Sequence, residues 1–510
     1  MADQSWSAIA VPLLLGGVAS FSIEMLLKPR PLSPWQRPLF TRMLHLGIWL
    51  LLYAPLLMLF RRPWFASTAL LALLLLVVLV SNAKFNSLFE PFIFQDFSYF
   101  VDALRYPRLY LPFLGVWSGL SAILAVMVAV ATGLLLEKPL ALPSAGVGAV
   151  VTAVAGAGLI LLGCRGRVGL LLEPSEDLAR LGLPASLLHY ALAERQSWQG
   201  SGNKLFAAAA QKPKGELPNL VVIQSESFFD PRRWISGIAP ELLQQYDALK
   251  QTAVSHGQLE VPAWGANTVR TEFAFLSAIA NDQLGIHRFK PYRRLARQGV
   301  PTLAGYMKGL GYRTVCLHPY TAKFYDRERV FPLLGFDEFI DISRFTSGDY
   351  AGQYVGDAAV AREVCRELAL HDRSEARPLF LFVITMENHG PLHLEQAGAE
   401  DGERFHMTGQ PEGCADLTVY LRHLEQADRM LGAVREQLES MERGGWLCLF
   451  GDHLPIMPDV YRRLGEPDGT VDYLVWSNDV QKQAGCASRT MKVEQLAELM
   501  VGEMGLLSNK

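Results

Sequence analysis

Residues 217–227 read LPNLVVIQSES. The core of this stretch, 219–224 (NLVVIQ), is almost continuously apolar. A strand with one wet face would alternate, so this pattern predicts a strand covered on both faces. The run then stops at Ser225-Glu226-Ser227, which puts a carboxylate just past the strand's carboxyl end. The same arrangement recurs three times. Residues 313–317 (RTVCL) are followed by His318, 379–385 (LFLFVIT) by Glu387, Asn388 and His389, and 446–450 (WLCLF) by Gly451, Asp452 and His453. Helical periods over 271–281, 302–310, 357–370 and 417–441 separate these runs. Buried strands alternating with helices predict an α/β domain with a mostly parallel, helix-covered sheet. Ligands of such sheets bind beyond the carboxyl ends of the strands. Four runs therefore bring acids and imidazoles to one edge. An adjacent Asp-His pair with a distant Glu is a donor set suited to Mn²⁺, Zn²⁺ or Mg²⁺.

A nucleophile candidate lies at 265–273, GANTVRTEF. Small residues precede an apolar helical period, so Asn267 or Thr268 is the N-cap. A helix N-terminus attracts phosphate and other anions. Threonine is a common cap, and taken alone it would be read as one. Beside a divalent cation its hydroxyl can ionise at neutral pH and attack phosphorus. The helix over 417–441 carries Arg422, Glu425, Asp428 and Arg429, read as a solvated face.

The N-terminal third is different. Half of the 510 residues are apolar and 19% are charged, but unevenly: residues 1–164 carry a net charge of +4 and residues 165–510 a net charge of −7. Neither part has the basic character of a nucleic-acid binder. Five stretches, 6–23, 43–60, 63–81, 113–136 and 144–164, are apolar over about the 17–25 residues a bilayer requires. The first lacks the basic start of a cleavable signal peptide, since residues 1–6 carry only Asp3. A transporter is disfavoured, because Glu24 is the one marginal ionisable residue in the spans. Residues 165–214 read as a linker, with an amphipathic stretch at 178–193 suited to a membrane surface and a breaker, QGSGN, at 199–203. The six cysteines show no Cys-x-x-Cys spacing and define no redox compartment. Loop lysines and arginines, counted by the positive-inside rule over five spans, place the C-terminal domain in the cytoplasm.

Taken in order, residues 217–227, 265–273, Glu387-Asn388-His389-Gly390 and Gly451-Asp452-His453 resemble the lipoteichoic acid synthase family, over about 217–455. That family is a phosphoglycerol-transferring branch of the alkaline phosphatase/sulfatase superfamily. The resemblance implies a transmembrane bundle of about five spans (1–164), a linker (165–214) and a sulfatase-like catalytic domain (215–510). It implies that Glu226, Thr268, Asp452 and His453 hold one divalent cation, often Mn²⁺, with Zn²⁺ and Mg²⁺ as alternatives. Thr268 would be the nucleophile, forming a phosphoglycerol-threonine intermediate. His389 would contact the phosphoglycerol and assist proton transfer. Within 318–327 (HPYTAKFYDR), His318, Tyr325 and Arg327 match positions that line the substrate pocket. A guanidinium there suits phosphate, because its donors pair with two oxygens.

Two positions depart from the family pattern. Tyr320 stands where Asp is common, and Tyr325 where Trp is common, which leaves the substrate open. Sulfatases proper convert a Cys or Ser in a Cys/Ser-x-Pro-x-Arg context. Thr268-Val269-Arg270-Thr271-Glu272 offers neither, which argues against sulfate-ester hydrolysis. The resemblance further implies a phosphatidylglycerol donor, a cell-envelope glycan or glycerol-phosphate acceptor, and a multi-pass protein of the bacterial cytoplasmic membrane. Its catalytic domain would lie outside the cytoplasm, opposite to the charge count. The alternatives are phosphoethanolamine transfer by the same chemistry and a non-catalytic sulfatase-like scaffold. Neither the acceptor nor the oligomeric state is legible in the sequence.

Overall fold

Among the described residues, four helices are long and apolar enough to cross a membrane: α1 (Ala2–Glu24), α2 (Leu39–Phe60), α3 (Pro63–Leu88) and α4 (Leu142–Gly163). The structure is a computed structural model that describes residues 2–99, 105, 124, 127–128, 131, 133–166, 169–207, 215–374, 377–483 and 488–507. The fifth expected span, 113–136, lies largely outside the described residues. The chain divides into two compact units, Met1–Ser197 and Trp198–Lys510.

In the first unit α2 and α4 meet through glycines. A Cβ on Gly47 would lie 2.9 Å from Gly156 O, and one on Gly156 would lie 2.8 Å from Gly47 O. Small residues let helix backbones approach closely, which is how apolar helices gain packing when burial in lipid offers them nothing more. Glu24, at the end of α1, is fully buried and paired with Arg37, whose Nη1 is 2.6 Å from Glu24 Oε2. The second oxygen of Glu24 accepts from Leu183 N at 2.5 Å.

That contact decides the fate of the amphipathic stretch at 178–193. It is two helices, α5 (Pro174–Leu181) and α6 (Leu183–Glu194), broken at Gly182. Gly182 has φ +77°, and a Cβ there would come within 2.0 Å of Arg37 Nη1. Both helices belong to the first unit, so the stretch expected as a linker is shared between the two units.

The second unit is built on an eight-stranded sheet. The strands are β1 (Asn219–Ser225), β2 (Ser255–Glu260), β3 (Arg313–Leu317), β4 (Glu338–Ile340), β7 (Leu379–Ile384), β8 (Gly445–Gly451), β9 (Thr470–Ser477) and β10 (Arg489–Lys492), in the order β10-β2-β9-β8-β1-β7-β3-β4. A separate hairpin pairs β5 (Tyr350–Ala351) with β6 (Tyr354–Val355). The centre of the sheet, β8-β1-β7-β3-β4, is parallel, and β9 joins it antiparallel. Every residue of β1, β7 and β8 is buried, which is why these strands read as apolar runs. The helices that matter for the site are α7 (Thr268–Ser277), α8 (Asp357–Ser374) and α9 (Ala415–Glu439). The face of α9 read as solvated is only partly so. Asp428 is buried and accepts from the backbone N–H groups of Gln245 and Tyr246 at 2.9 and 2.7 Å.

Candidate metal centre

Parallel pairing of β1 with β8 aligns Ser225 with Gly451, so the residues just beyond both strands emerge side by side. Ser227 then turns into the left-handed region at φ +56°. Its N–H donates to Asp452 Oδ1 at 2.9 Å, and its hydroxyl donates to Glu226 Oε1 at 3.3 Å. Thr385 Oγ1, beyond β7, accepts from Glu226 N at 2.9 Å. Tyr420, on α9, donates to Ser227 O at 2.9 Å. Two carboxylates are thereby fixed around a turn held by these four hydrogen bonds.

His453 completes the arrangement. Its Nδ1 faces Leu454 O at 3.0 Å, so Nδ1 carries the proton and Nε2 presents a lone pair. That lone pair lies 3.3 Å from Asp452 Oδ2 and 3.5 Å from Glu226 Oε1. Despite this proximity, Asp452 Oδ2 and His453 Nε2 are buried and make no hydrogen bond among the described residues. Ligand atoms of the three residues all lie within 4.8 Å of one another. Buried polar atoms are nearly always satisfied. Two carboxylates and an imidazole nitrogen converging in a buried site are well satisfied by a cation, and this donor set fits a divalent metal.

Without a cation, burial and then the neighbouring Asp452 carboxylate push Glu226 up to about 8. The sign for metal binding follows. The protonated form dominates below about pH 8, while a cation requires the ionised form. Affinity for Mn²⁺ should therefore fall as pH is lowered from 8.5 to 6. Calorimetry in buffers of different ionisation enthalpy should record proton release on binding at pH 6.5. A pH-independent affinity without proton release would show that Glu226 is not a ligand.

Thr268 opens α7. The residue before it, Asn267, occupies the cap in the left-handed region at φ +68° and makes no side-chain cap bond. The Thr268 hydroxyl is thus not used as the N-cap. One turn later, Thr271 donates to Asp452 O at 2.7 Å, which ties the start of α7 to the end of β8. Another turn position, Glu272, is fully buried and holds Arg327 at 2.9 Å. Tyr292 also donates to Glu272.

Arg327 Nη1 lies 3.3 Å from His318 Nε2, and since a guanidinium only donates, Nε2 is the acceptor. His318 Nδ1 then donates to Ile384 O at 3.2 Å. Burial, and next the Arg327 charge, hold His318 well below the usual imidazole range. His318 therefore acts as a neutral acceptor for Arg327. Arg327 Nε is buried without a partner among the described residues, and its guanidinium stands 5.2 Å from the Tyr325 ring centroid. Tyr320 packs edge-on against Phe324.

His389 Nδ1 donates to Gly390 O at 2.7 Å, which leaves Nε2 as the unprotonated nitrogen. Burial lowers its pKa and keeps the ring neutral. Tyr354, from β6, meets the His389 ring edge-on at 5.1 Å. Glu387 takes no part in the cation cradle. One oxygen accepts from Asp357 N at 2.5 Å, and the other lies 2.8 Å from His423 Nδ1.

Sequence reasoning did not pick out Thr271, Glu272, Tyr354 or His423. Glu272 had a signal, since it follows Thr268 at helical spacing on one face. Tyr354 had none, because its hairpin is only two residues per strand.

An apolar helical unit followed by a parallel α/β sheet, with an acid–acid–imidazole cradle at its carboxyl edge, defines a membrane-type member of the alkaline phosphatase/sulfatase superfamily. The Sulfatase family model matches residues 218–502, more than half of the chain, and the chain belongs to that family. The capsular polysaccharide biosynthesis protein RkpI of Rhizobium meliloti (strain 1021) is 29% identical over 435 residues, covering 81% of this chain and 77% of that protein. The integral membrane protein lipooligosaccharide phosphoethanolamine transferase A (EptA) of Neisseria meningitidis shares the fold along 98% of this chain and 95% of its own, with a TM-score of 0.58 at 13% identity. The Streptococcus pyogenes phosphoglycerol transferase GacH aligns with 59% of this chain and 78% of its own, with a TM-score of 0.46 at 22% identity.

Proposed function

We propose that this protein is a metal-dependent transferase of the cytoplasmic membrane. It moves phosphoglycerol from phosphatidylglycerol, through a phosphothreonine at Thr268, to a cell-envelope glycan or polymer, and its catalytic domain lies outside the cytoplasm. The observation that carries this reading is the convergence of buried donor atoms of Glu226, Asp452 and His453, with α7, the helix that Thr268 opens, tied to Asp452 O through Thr271.

Glu226, Asp452, His453 and the Thr268 hydroxyl would hold the cation. A bound divalent cation lowers the pKa of an alcohol and stabilises developing negative charge on phosphoryl oxygens. Thr268 Oγ1 attacks phosphorus in line. The bond from phosphorus to the diacylglycerol oxygen breaks, and that oxygen gains a proton in place of the one the Thr268 hydroxyl gave up, so diacylglycerol leaves as a neutral alcohol. An acceptor hydroxyl then attacks the same phosphorus, and the Thr268 oxygen departs. The entering hydroxyl's proton can pass to His389 Nε2, the unprotonated nitrogen of that ring. Arg327, with an unpartnered buried Nε–H, suits a phosphate or headgroup oxygen.

Phosphorus is favoured over sulfur because the nucleophile is threonine outside the Cys/Ser-x-Pro-x-Arg context. A glycan acceptor is supported by RkpI, named for capsular polysaccharide biosynthesis.

The test is the adduct itself. Full-length protein is mixed separately with phosphatidylglycerol and phosphatidylethanolamine, quenched in acid, and its Thr268 peptide weighed. A phosphoglycerol mass gained with the first lipid alone is expected. A phosphoethanolamine mass gained with the second alone would transfer the assignment to phosphoethanolamine transfer.

A further inference from the structure

The His423 side chain is 2% exposed and sits in the middle of α9 between two carboxylates. Its Nδ1 lies 2.8 Å from Glu387 Oε1 and its Nε2 lies 3.0 Å from Glu395 Oε2. Both ring nitrogens therefore donate, and the ring is an imidazolium. Burial opposes that charge, but hydrogen bonds to Glu387 and Glu395 outweigh it and lift His423 to about 9.

Each jaw of this clamp is itself anchored. Glu387 Oε2 accepts from Asp357 N, at the N-terminus of the 18-residue helix α8, where a negative charge is favoured. Glu395 Oε2 also accepts from Arg422 Nη2 at 2.8 Å, and Arg422 Nη1 reaches Asp401 Oδ2 at 3.3 Å. The tip of the β5–β6 hairpin presses on Glu395 as well. Gly352 has φ +73°, and a Cβ there would lie 2.3 Å from Glu395 Oε1. The charged groups facing His423 are thus Glu387, Glu395 and Arg422. Asp357 lies behind Glu387, whose charge adds to burial in holding the Asp357 carboxyl well above its ordinary range.

Glu387 is two residues from His389, in a turn closed by His389 N donating to Met386 O at 3.0 Å. Tyr354, which contacts the His389 ring, is in the same hairpin that presses on Glu395. The clamp therefore reaches His389 from both sides.

We propose that His423 is a positioning residue of the transferase site: by bridging Glu387 and Glu395 it fixes the turn and the hairpin that present His389. This rests on the function proposed above, in which His389 moves a proton. An imidazolium between two acids is more than this packing requires, since an apolar side chain would fill the volume without two buried charges to match. Its consequence is orientation. Misplacing a reacting group by about an ångström costs about 10²-fold in rate.

The experiment compares His423→Gln with wild type in the full-length, cation-loaded protein. Turnover of phosphatidylglycerol should fall about 10²-fold, with KM for the lipid and affinity for Mn²⁺ unchanged. In parallel, ¹⁵N spectra of histidine-labelled, Zn²⁺-loaded protein, assigned with His389→Gln, should show His389 as the Nδ1–H tautomer in wild type. In His423→Gln they should show a mixture of tautomers. Glu395→Gln, which alters the outer jaw and keeps His423, should produce a smaller change of the same kind in both readouts. It decides the matter if His423→Gln does not fold. Unchanged turnover together with an unchanged His389 signal would overturn the proposal. The spectra need no turnover, so a wild-type protein without transferase activity would refute the function while the His389 signal still decides the clamp.

Discussion

Thr268→Ala should abolish release of diacylglycerol from phosphatidylglycerol, with turnover down at least about 10³-fold, on the scale seen when a catalytic nucleophile is deleted. The argument starts from the local backbone. Asn267 takes the left-handed cap position, so Thr268 is the first helical residue and its hydroxyl serves no cap. Loss of that hydroxyl should therefore cost little stability. Thr271 continues to bond Asp452 O, and the start of α7 stays fixed against β8. The alanine variant should melt within a few degrees of wild type and should trap no adduct. Thr268→Ser, which keeps a hydroxyl, should retain a measurable fraction of the rate. Headgroup release by Thr268→Ala at the wild-type rate would remove the nucleophile from this account.

Asp452→Asn should cost more than about 10²-fold in cation affinity, beyond the loss typical when only an outer contact to a metal ligand is removed. The substitution is close to isosteric. Oδ1 can still accept from Ser227 N, so the turn after β1 is kept. Oδ2 becomes an amide that donates into the cradle at a position 3.3 Å from His453 Nε2, which itself stands 3.5 Å from Glu226 Oε1. A donor in that position opposes a cation. A second effect has the opposite sign. Asp452 raises the pKa of Glu226 by like-charge repulsion in a buried site. Removing that charge should make the metal-free protein more stable than metal-free wild type. Thermal melting with Mn²⁺ and with chelator checks both. Wild type should gain stability from the cation, and Asp452→Asn should gain none while melting higher in chelator. A cation-dependent rise in Asp452→Asn equal to that of wild type would contradict the ligand assignment.

The parts of the fold that were legible in the sequence are those that are buried on both faces. Strands β1, β3, β7 and β8 announced themselves because parallel, helix-covered strands must be apolar throughout. Strand β2 has the burial pattern of a half-exposed strand and carries Gly257, and β10 is a polar edge strand, so neither gave a run to read. Strand β9 carries Asp472 within its apolar run, and that residue masked it. The break in the amphipathic stretch was written in Gly182 and Pro184, a turn residue followed by a first-turn proline. Amphipathic period outweighed it in the reading.

Glu226, Asp452 and His453, whose donor atoms converge, stood out for a simple reason: each directly follows a strand. The supporting residues did not, because their role depends on contacts far apart in sequence. Glu387 also follows a strand, but its two oxygens are held by Asp357 N and by His423, on α9. His423 itself lay on a helix read as wet, and nothing local to it distinguishes a buried imidazolium from a surface histidine. Glu24 looked like an isolated charge in a span, and its partner Arg37 is beyond the helix end.

The most direct test is the position of the cation. Crystals of the full-length protein grown with Mn²⁺, measured at the manganese absorption edge, should show one anomalous peak in the α/β unit. It should lie within coordination distance of Glu226, Asp452, His453 Nε2 and the Thr268 hydroxyl. A peak that these residues do not share, or no peak at saturating Mn²⁺, would contradict the account.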